Sequence, residues 1–172
     1  VYSSQRYSLL DQIDAENVDE LELKWVVQNQ VFGAWQSNPI VVDGIMYVTE
    51  RPNSVMALDA ITGRVFWRYK HTPDERSRVC CGANNRGVAV LDDRVFMGTL
   101  DARLVALDRI SGEVLWETEV GDVSRAYSVT MAPLVVKDKV IVGVGGGEYG
   151  IRGYVAAYDA ATGEEVWKTY TI

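Results

Sequence analysis

The apolar residues of the chain fall into short alternating runs that are separated by pairs of turn residues. The first pair of runs covers residues 40–48 and brackets Asp43-Gly44, and equivalent pairs cover residues 88–97 and 134–142. An Asp-Gly dipeptide between two apolar runs is a strong signal for a tight β-hairpin. The pattern therefore predicts three hairpins of the same kind along the chain.

Each predicted hairpin is followed by a longer repeated motif. The motif is ALDAITGRVFW at residues 57–67, ALDRISGEVLW at 106–116 and AYDAATGEEVW at 157–167, so its tryptophans stand 49 and 51 residues apart. The triplet before the Thr-Gly or Ser-Gly turn predicts a third strand, and the tryptophan lies on a fourth. Self-similarity at this period is typical of propellers and solenoids. The sequence predicts an all-β chain with four-stranded antiparallel propeller blades, repeated at about 31–70, 86–119 and 129–172.

Three blades do not close a ring of typically ~4–8 blades. We therefore expect a partial β-propeller over residues 1–172, either as a piece of a longer protein, which we favour, or as one of several copies that complete a ring. Residues 13–23 could form a turn or two of helix with Asp14 as its N-cap. Residues 21–26 predict one more strand, with Trp25 in the position of a blade tryptophan. This N-terminal closing segment, residues 1–30, would then complete the last blade.

The recurring tryptophans and turn glycines are best explained by structure. Tryptophan buries a large area and its indole N–H needs a partner, so one at the same place in every repeat indicates packing between blades. The glycines of the Thr-Gly and Ser-Gly turns supply a positive φ. We assign no chemistry to either group of residues.

Composition limits the classes of partner. The 172 residues are 48% hydrophobic and 24% charged, with a formal net charge of −7. A negative protein is a poor ligand for nucleic acid or an anionic membrane, since both require a basic surface. The chain has no apolar run near the ~18 residues of a membrane span. It opens on Val1 without a signal-peptide pattern, so we expect any export signal to have been removed or left out.

The two cysteines, Cys80 and Cys81, are neighbours in the sequence. Adjacent Cα atoms lie ~3.8 Å apart, whereas disulfides normally span ~4.4–6.8 Å. A bond between these residues would close a strained ring, and strain of this kind is found at functional sites. Two free thiols are the alternative, which becomes less favourable in an oxidising compartment.

Two further departures from the repeat carry charged side chains. Arg86 enters the inner strand of the second repeat, where it would either point to the propeller axis and bind carboxylates or remain a solvated loop residue. Residues 143–153 contain six glycines around Glu148, which would either ligate a hard cation such as Ca²⁺ or be solvated. The single histidine, His71, lies in a segment that we interpret as an exposed loop, and we assign it no role.

Taken together, these motifs resemble the propeller-type alcohol dehydrogenases that use pyrroloquinoline quinone (PQQ), the methanol and quinohaemoprotein ethanol dehydrogenase group. The matching stretches include RYSLLDQID from Arg6, NPIVVDGIMYVT, CCGANNRGVAV, GTLDARLVALD and TMAPLVVKDKVIVGVGGGEYGIRGYVAAYD. They cover nearly the whole chain in family order. The resemblance implies the N-terminal part of an eight-bladed propeller.

The resemblance also implies a role for each matching residue. Cys80 and Cys81 would form a vicinal disulfide that packs on one face of PQQ. Arg86 would bind the quinone oxygen and a ring carboxylate. Thr130 and the backbone of Gly145, Gly146 and Gly147 would hold the other carboxylates.

Glu148 would be a bidentate ligand of the Ca²⁺ that polarises the quinone carbonyl, with a lanthanide as the alternative ion. Gln36 stands where the family commonly has glutamate, so it can donate a hydrogen bond to PQQ but carries no charge. Gly145 replaces the serine of the methanol enzymes. The family's catalytic residues lie in later blades, so we expect none in this segment.

The leading functional hypothesis is therefore a periplasmic PQQ- and Ca²⁺-dependent oxidoreductase that converts an alcohol to a carbonyl compound and of which this chain alone is incomplete. Its partners would be a small-molecule alcohol, the remaining propeller blades or further copies of the chain, and a cytochrome as electron acceptor. A non-enzymatic scaffold of the outer-membrane assembly type is one alternative, although Arg86, Glu148 and the cysteine pair argue against it. A short chain that assembles into a ring is the other.

Overall fold

The computed structural model describes residues 9–172, and Arg6 of the RYSLLDQID motif lies outside them. The described chain forms three four-stranded antiparallel sheets, each with its strands in sequence order. The strands are β1 (Ile40–Val42), β2 (Ile45–Glu50), β3 (Ser54–Asp59), β4 (Val65–Lys70), β5 (Ala89–Leu91), β6 (Arg94–Gly98), β7 (Arg103–Asp108), β8 (Val114–Glu119), β9 (Leu134–Val136), β10 (Lys139–Gly143), β11 (Tyr154–Asp159) and β12 (Glu165–Tyr170). Short 3₁₀ helices cover Val18–Glu20, Val123–Arg125 and Gly147–Tyr149. The predicted all-β, four-strand blades are confirmed.

The first two strands of each sheet form the predicted hairpin. In the first sheet Ile40 pairs with Tyr47 and Val42 with Ile45, which leaves two residues in the turn. The first turn residue is left-handed in all three hairpins, with φ of 50° at Asp43, 50° at Asp92 and 54° at Lys137. Two-residue turns of this hand match the twist of the strands that they join.

The repeated Asp-x-x-Thr/Ser-Gly motif forms a turn that its aspartate holds closed. Asp59 Oδ1 accepts hydrogen bonds from the backbone N–H groups of Ile61 at 2.8 Å and Thr62 at 3.0 Å. These two bonds hold the pKa of the Asp59 carboxyl below its ordinary value, and the bond from Thr62 has the larger effect. Asp108 and Asp159 make the equivalent contacts in the other sheets.

Each blade tryptophan packs on the turn of the next sheet. Trp67 Nε1 donates to the carbonyl of Arg109 at 3.1 Å, and a Cβ on Gly112 would lie 2.6 Å from the Trp67 ring. Trp116 repeats this arrangement on Gly163. The tryptophans thereby join the sheets, as their spacing predicted.

Two apolar layers lie between the three sheets. The layer between the first and second sheets is formed by Tyr47, Val55, Ala57, Val88, Val95, Met97, Val105 and Leu107. The layer between the second and third sheets includes Phe96, Leu104, Ala106, Val140, Val142, Ala156 and Tyr158. Among the described residues, none forms such a layer on the outer face of the third sheet: every residue of β12 is exposed, and Trp167 retains 42% of its accessible surface.

The N-terminal segment differs from its prediction. The only helix within residues 13–23 is the 3₁₀ turn Val18–Glu20, whose N-cap residue, Asn17, makes no side-chain capping bond. Asp14 Oδ1 accepts from the backbone N–H groups of Glu16 at 2.8 Å and Asn17 at 3.2 Å, so Asp14 caps the turn that directly precedes this helix. The strand predicted at residues 21–26 is absent from the described structure, and no strand of the three sheets pairs with the segment. Trp25 nevertheless packs on Gly63 and donates to the carbonyl of Ala60 at 3.2 Å, as the other blade tryptophans do.

Within residues 9–172, no helix has both the length and the apolar character that crossing a bilayer would require.

Candidate cofactor-binding site

Three loops meet around an open cavity of about 160 Å³. The loops follow β4, β8 and β10, so each is placed by the end of a rigid sheet. The residues that line the cavity are Val79, Cys80, Cys81, Gly82, Asn84, Arg86, Ser128, Thr130, Gly145, Gly146 and Glu148. The structure thus brings together seven of the nine predicted site residues, which are separated by up to 68 positions in the sequence.

The cysteine pair forms one wall of the cavity. Cys80 and Cys81 are joined by a disulfide across adjacent Cα atoms 3.8 Å apart. The chain holds no free cysteine, so the free-thiol alternative is wrong. Both residues are exposed, and the backbone of Cys81 adopts a left-handed conformation with a φ of 65°. The disulfide is therefore part of the cavity wall, where a ligand could contact it.

Arg86 supplies positive charge beside this wall. Its Nη1 donates to Thr130 Oγ1 at 2.8 Å and to the Thr130 carbonyl at 3.3 Å, so the second and third sheets share the contact. The backbone N–H of Arg86 also donates to that carbonyl, at 3.1 Å. A guanidinium has five N–H donors, so donors remain for an anionic ligand after these bonds.

The glycine-rich loop brings backbone atoms to the cavity wall. Gly145 and Ser128 exchange backbone hydrogen bonds of 2.8 and 3.1 Å. A side chain at Gly146, where φ is +120°, would place its Cβ 2.2 Å from the Ala126 carbonyl oxygen. Glycine at this position therefore allows the loop to pack closely against the preceding one. Ser128 was missed by sequence reasoning because only this pairing brings it to the site.

Glu148 lies on the 3₁₀ turn Gly147–Tyr149 and is exposed at the cavity. In the described part of the chain, no three His, Cys, Asp or Glu residues cluster in a way that could hold a metal ion. Ca²⁺, a hard cation, takes six to eight oxygen ligands. Glu148 can therefore supply one anionic ligand group, and further oxygens would have to come from a cofactor or from other residues.

Two predicted site residues do not line the cavity. Gly147 belongs to the same turn as Glu148 but is not part of the cavity wall. Gln36 is exposed and precedes a segment that is held to the first two sheets: Ser37 Oγ accepts from the Thr49 backbone N–H at 2.9 Å, and Asn38 N donates to the Arg86 carbonyl at 3.2 Å. The structure thus places Gln36 near the site loops without bringing its side chain to the cavity.

His71 lies in a loop as predicted, but the interpretation of this residue as exposed is wrong. Its side chain is 11% exposed, and its Nε2 lies 2.9 and 3.1 Å from the two carboxylate oxygens of Asp101. The same carboxylate accepts from the backbone N–H of Asp74 at 3.1 Å. Burial acts to raise the pKa of Asp101, but hydrogen bonds from His71, Thr99 and Asp74 outweigh it and lower this pKa to about 2. The pair thereby fixes the start of the loop that carries the disulfide.

Comparison with known proteins identifies the family. The model of the glucose/ethanol/alcohol dehydrogenase β-propeller domain matches residues 2–171. Quinohemoprotein alcohol dehydrogenase ADH IIB of Pseudomonas putida is 45% identical over 99% of the chain, and the lanthanide-dependent methanol dehydrogenase of Methylacidiphilum fumariolicum is 42% identical over 99%. The chain spans 25% and 29% of the length of these two relatives.

Solved structures give the same answer. The structure of quinohemoprotein alcohol dehydrogenase ADHIIG from Pseudomonas putida matches with a TM-score of 0.95 and 46% identity, over 99% of this chain and 25% of that one. BamB from Moraxella catarrhalis matches with a TM-score of 0.58 and 18% identity, over 87% of this chain and 55% of that one, which is a likeness of fold alone. With its whole length matched by a single family, the chain belongs to the β-propeller family of PQQ-dependent alcohol dehydrogenases.

Proposed function

We propose that the chain forms one wall of the PQQ site of a longer alcohol dehydrogenase, which oxidises a small-molecule alcohol to a carbonyl compound. The observation that carries the proposal is the cavity itself. It combines a vicinal disulfide and a guanidinium from the loop after β4 with a hydroxyl from the loop after β8 and a carboxylate from the loop after β10. The apolar layers and the tryptophans hold the sheets together, and the disulfide and the carboxylate lie outside both layers.

The lining residues fit the chemistry of PQQ, a planar quinone that bears several carboxylates. The polarisable sulfurs of Cys80 and Cys81 suit contact with a ring face, while Arg86 and Thr130 offer donors to carboxylate oxygens at the edge. When bound, PQQ supplies the two-electron acceptor for alcohol oxidation. The role of these residues is to bind and orient it.

The size of the cavity supports a shared site. Small-molecule pockets usually measure about 300–1,000 Å³, whereas this cavity measures about 160 Å³. The chain also spans only a quarter of ADH IIB. We therefore propose that the other propeller blades supply the opposite wall, the remaining metal ligands and the catalytic groups, and that this segment alone is inactive.

We propose Glu148 as a ligand of the metal ion that accompanies PQQ, either Ca²⁺ or a lanthanide. A carboxylate is the ligand type that such hard cations prefer. The similarity to a lanthanide-dependent methanol dehydrogenase keeps both ions in consideration. Metal titration of the complete protein distinguishes them, because only the native ion should restore turnover at stoichiometric loading.

The test compares Glu148→Gln with the unmodified complete protein. The amide keeps the shape of the side chain and removes its charge, so bound metal and alcohol-dependent dye reduction in the presence of PQQ should both fall strongly. Thermal stability of the metal-free form should change little, since Glu148 is exposed. Glu164→Gln, at an exposed turn of the third sheet, is the control and should retain both properties. Full metal content and turnover in Glu148→Gln would overturn the assignment.

We further propose a periplasmic location and a cytochrome as the electron acceptor. A disulfide persists in an oxidising compartment, which supports the first statement. Cell fractionation tests the location, and reduction of added cytochrome by the alcohol-fed enzyme tests the acceptor. The scaffold alternative has only a likeness of fold in its favour, and it would be supported if the complete protein bound no PQQ.

A further inference from the structure

One buried polar atom at the cofactor cavity has no hydrogen-bond partner. Side-chain atoms of this kind in the described structure are Asn53 Nδ2, Asn84 Oδ1, Arg94 Nε, Arg109 Nε and Tyr158 OH. Of these five residues, Asn84 alone lines the cavity. A buried unpaired polar atom is unfavourable, and in a native protein it calls for an explanation.

The nitrogen of the Asn84 side-chain amide, unlike its oxygen, is hydrogen-bonded. Its Nδ2 donates to the carbonyl oxygen of Cys81 at 3.1 Å, and its backbone N–H donates to the carbonyl of Gly82 at 2.9 Å. Asn84 is 5% exposed, so the amide is enclosed by protein. The side chain therefore holds the peptide that directly follows the disulfide.

The orientation of the amide is fixed by this contact. If the oxygen and nitrogen were exchanged, Oδ1 would face the Cys81 carbonyl oxygen, and two acceptors would repel each other. The Cys81 bond thus leaves Oδ1 on the side where the surrounding described residues offer no donor. A leucine of similar size would avoid the unpaired oxygen but would release the Cys81 carbonyl.

A second residue holds the same loop from another direction. Arg51 Nε donates to the carbonyl of Ala83 at 3.0 Å, and Arg51 Nη1 donates to the carbonyl of Phe32 at 3.3 Å. Cys81 and Gly82, which directly precede Ala83, are exposed. Asn84 is thus the side chain whose hydrogen bond lies nearest to the disulfide.

We propose that Asn84 is a positioning residue of the cofactor site. The hydrogen bond from its amide to Cys81 positions the disulfide against the face of the cofactor. The unpaired Oδ1 lowers the stability of the protein, and this loss accompanies the positioning function. The proposal rests on the proposed PQQ site, but its effect on the loop is measurable without PQQ.

The test uses the complete protein with Asn84→Leu and Asn84→Asp. Both variants lack the donor to Cys81, so amide hydrogen exchange in residues 79–87 should be faster in the PQQ-free protein. Equilibrium titration should give PQQ binding about 3- to 10-fold weaker for Asn84→Leu, the equivalent of one hydrogen bond. Asn84→Asp should bind PQQ at least as weakly, since the negative charge of the new carboxylate repels the Cys81 carbonyl oxygen and the carboxylates of PQQ. The melting temperature should rise for Asn84→Leu and fall for Asn84→Asp, because only leucine removes the unpaired oxygen.

Asn53→Leu is the matched control. Asn53 is fully buried and also has one unpaired atom, but it lies outside the cavity and accepts from the Leu100 backbone N–H at 3.1 Å. This variant should lower the melting temperature, because it leaves the N–H of the buried Leu100 without an acceptor, whereas the exposed Cys81 carbonyl can bind water when Asn84 is replaced. It should leave exchange in residues 79–87 and PQQ affinity unchanged.

Wild-type exchange and PQQ affinity in Asn84→Leu would overturn the proposal. If Asn84→Leu failed to fold, the isosteric Asn84→Asp would decide the same question by exchange. If the unmodified protein did not bind PQQ, the proposed function would fail, and the exchange measurement would still decide whether Asn84 holds the loop.

Discussion

Replacing Gly112 by alanine should destabilise the protein at the contact between the first and second sheets. Gly112 has a φ of +76°, and a Cβ there would lie 2.6 Å from the Trp67 ring. An L-residue in this left-handed conformation costs about 1–2 kcal/mol. Forcing the indole away is an overpacking defect of about 1–3 kcal/mol. We therefore expect a total loss of about 2–5 kcal/mol in the free energy of unfolding.

Gly44→Ala separates these two contributions. Gly44 also has a φ of +76°, but a Cβ there would meet no atom within 4 Å. This control should lose only the backbone part, about 1–2 kcal/mol. The difference between the two variants therefore measures the packing of Trp67 on the turn.

Urea unfolding of both variants, followed by tryptophan fluorescence, is the assay. The Gly112→Ala midpoint should lie clearly below that of Gly44→Ala at an equal slope against urea, and Trp67 should become more exposed to water. Equal destabilisation of the two variants would refute the reasoning, because the close approach of Trp67 and Gly112 would then contribute nothing.

Three further predictions concern the disulfide, the open face and one buried carboxylate. The native, unreduced protein should take up no alkylating reagent at Cys80 or Cys81, and intact mass showing two added groups would contradict the disulfide. The 172-residue chain should self-associate at micromolar concentration through the exposed face around Trp167, whereas a monodisperse monomer by light scattering would argue against this. The folded-state pKa of Asp101, about 2, lies below its ordinary value of 3.8. Its stabilisation is therefore present above pH 3.8 and lost as pH falls towards 2, and Asp101→Asn should flatten the acid-unfolding curve in that window.

The sequence predicted the elements whose cause is local. The hairpins and the Asp-x-x-Thr/Ser-Gly turns depend on residues two to five positions apart, so their pattern is visible in the chain. The strand predicted at residues 21–26 failed because a strand needs a neighbour to pair with, and its pattern does not say whether one is present. The tryptophan of that segment was interpreted correctly, since its contact needs only a turn glycine.

Parts of the candidate site could not be predicted from the sequence, because they depend on contacts between residues that are distant in the chain. His71 contacts Asp101, 30 residues away, and nothing in the sequence around either residue indicates that the two are paired. Ser128 reaches the cavity only through its pairing with Gly145. Arg86 and Glu148 could be predicted because each lies in a motif shared with the family. Their position on one cavity became clear only once the sheets had been placed side by side.

The tryptophan contacts give the row of blades a direction. Each indole reaches forward to the turn of the following sheet, so an interface has one side that offers a tryptophan and another that receives it. At the first sheet the receiving turn at Gly63 already holds Trp25 from the same chain. A second copy could not add there by the same contact unless Trp25 withdrew. A ring of copies joined by this contact would therefore require the N-terminal segment of every copy to move, whereas Trp167 is exposed in the described structure.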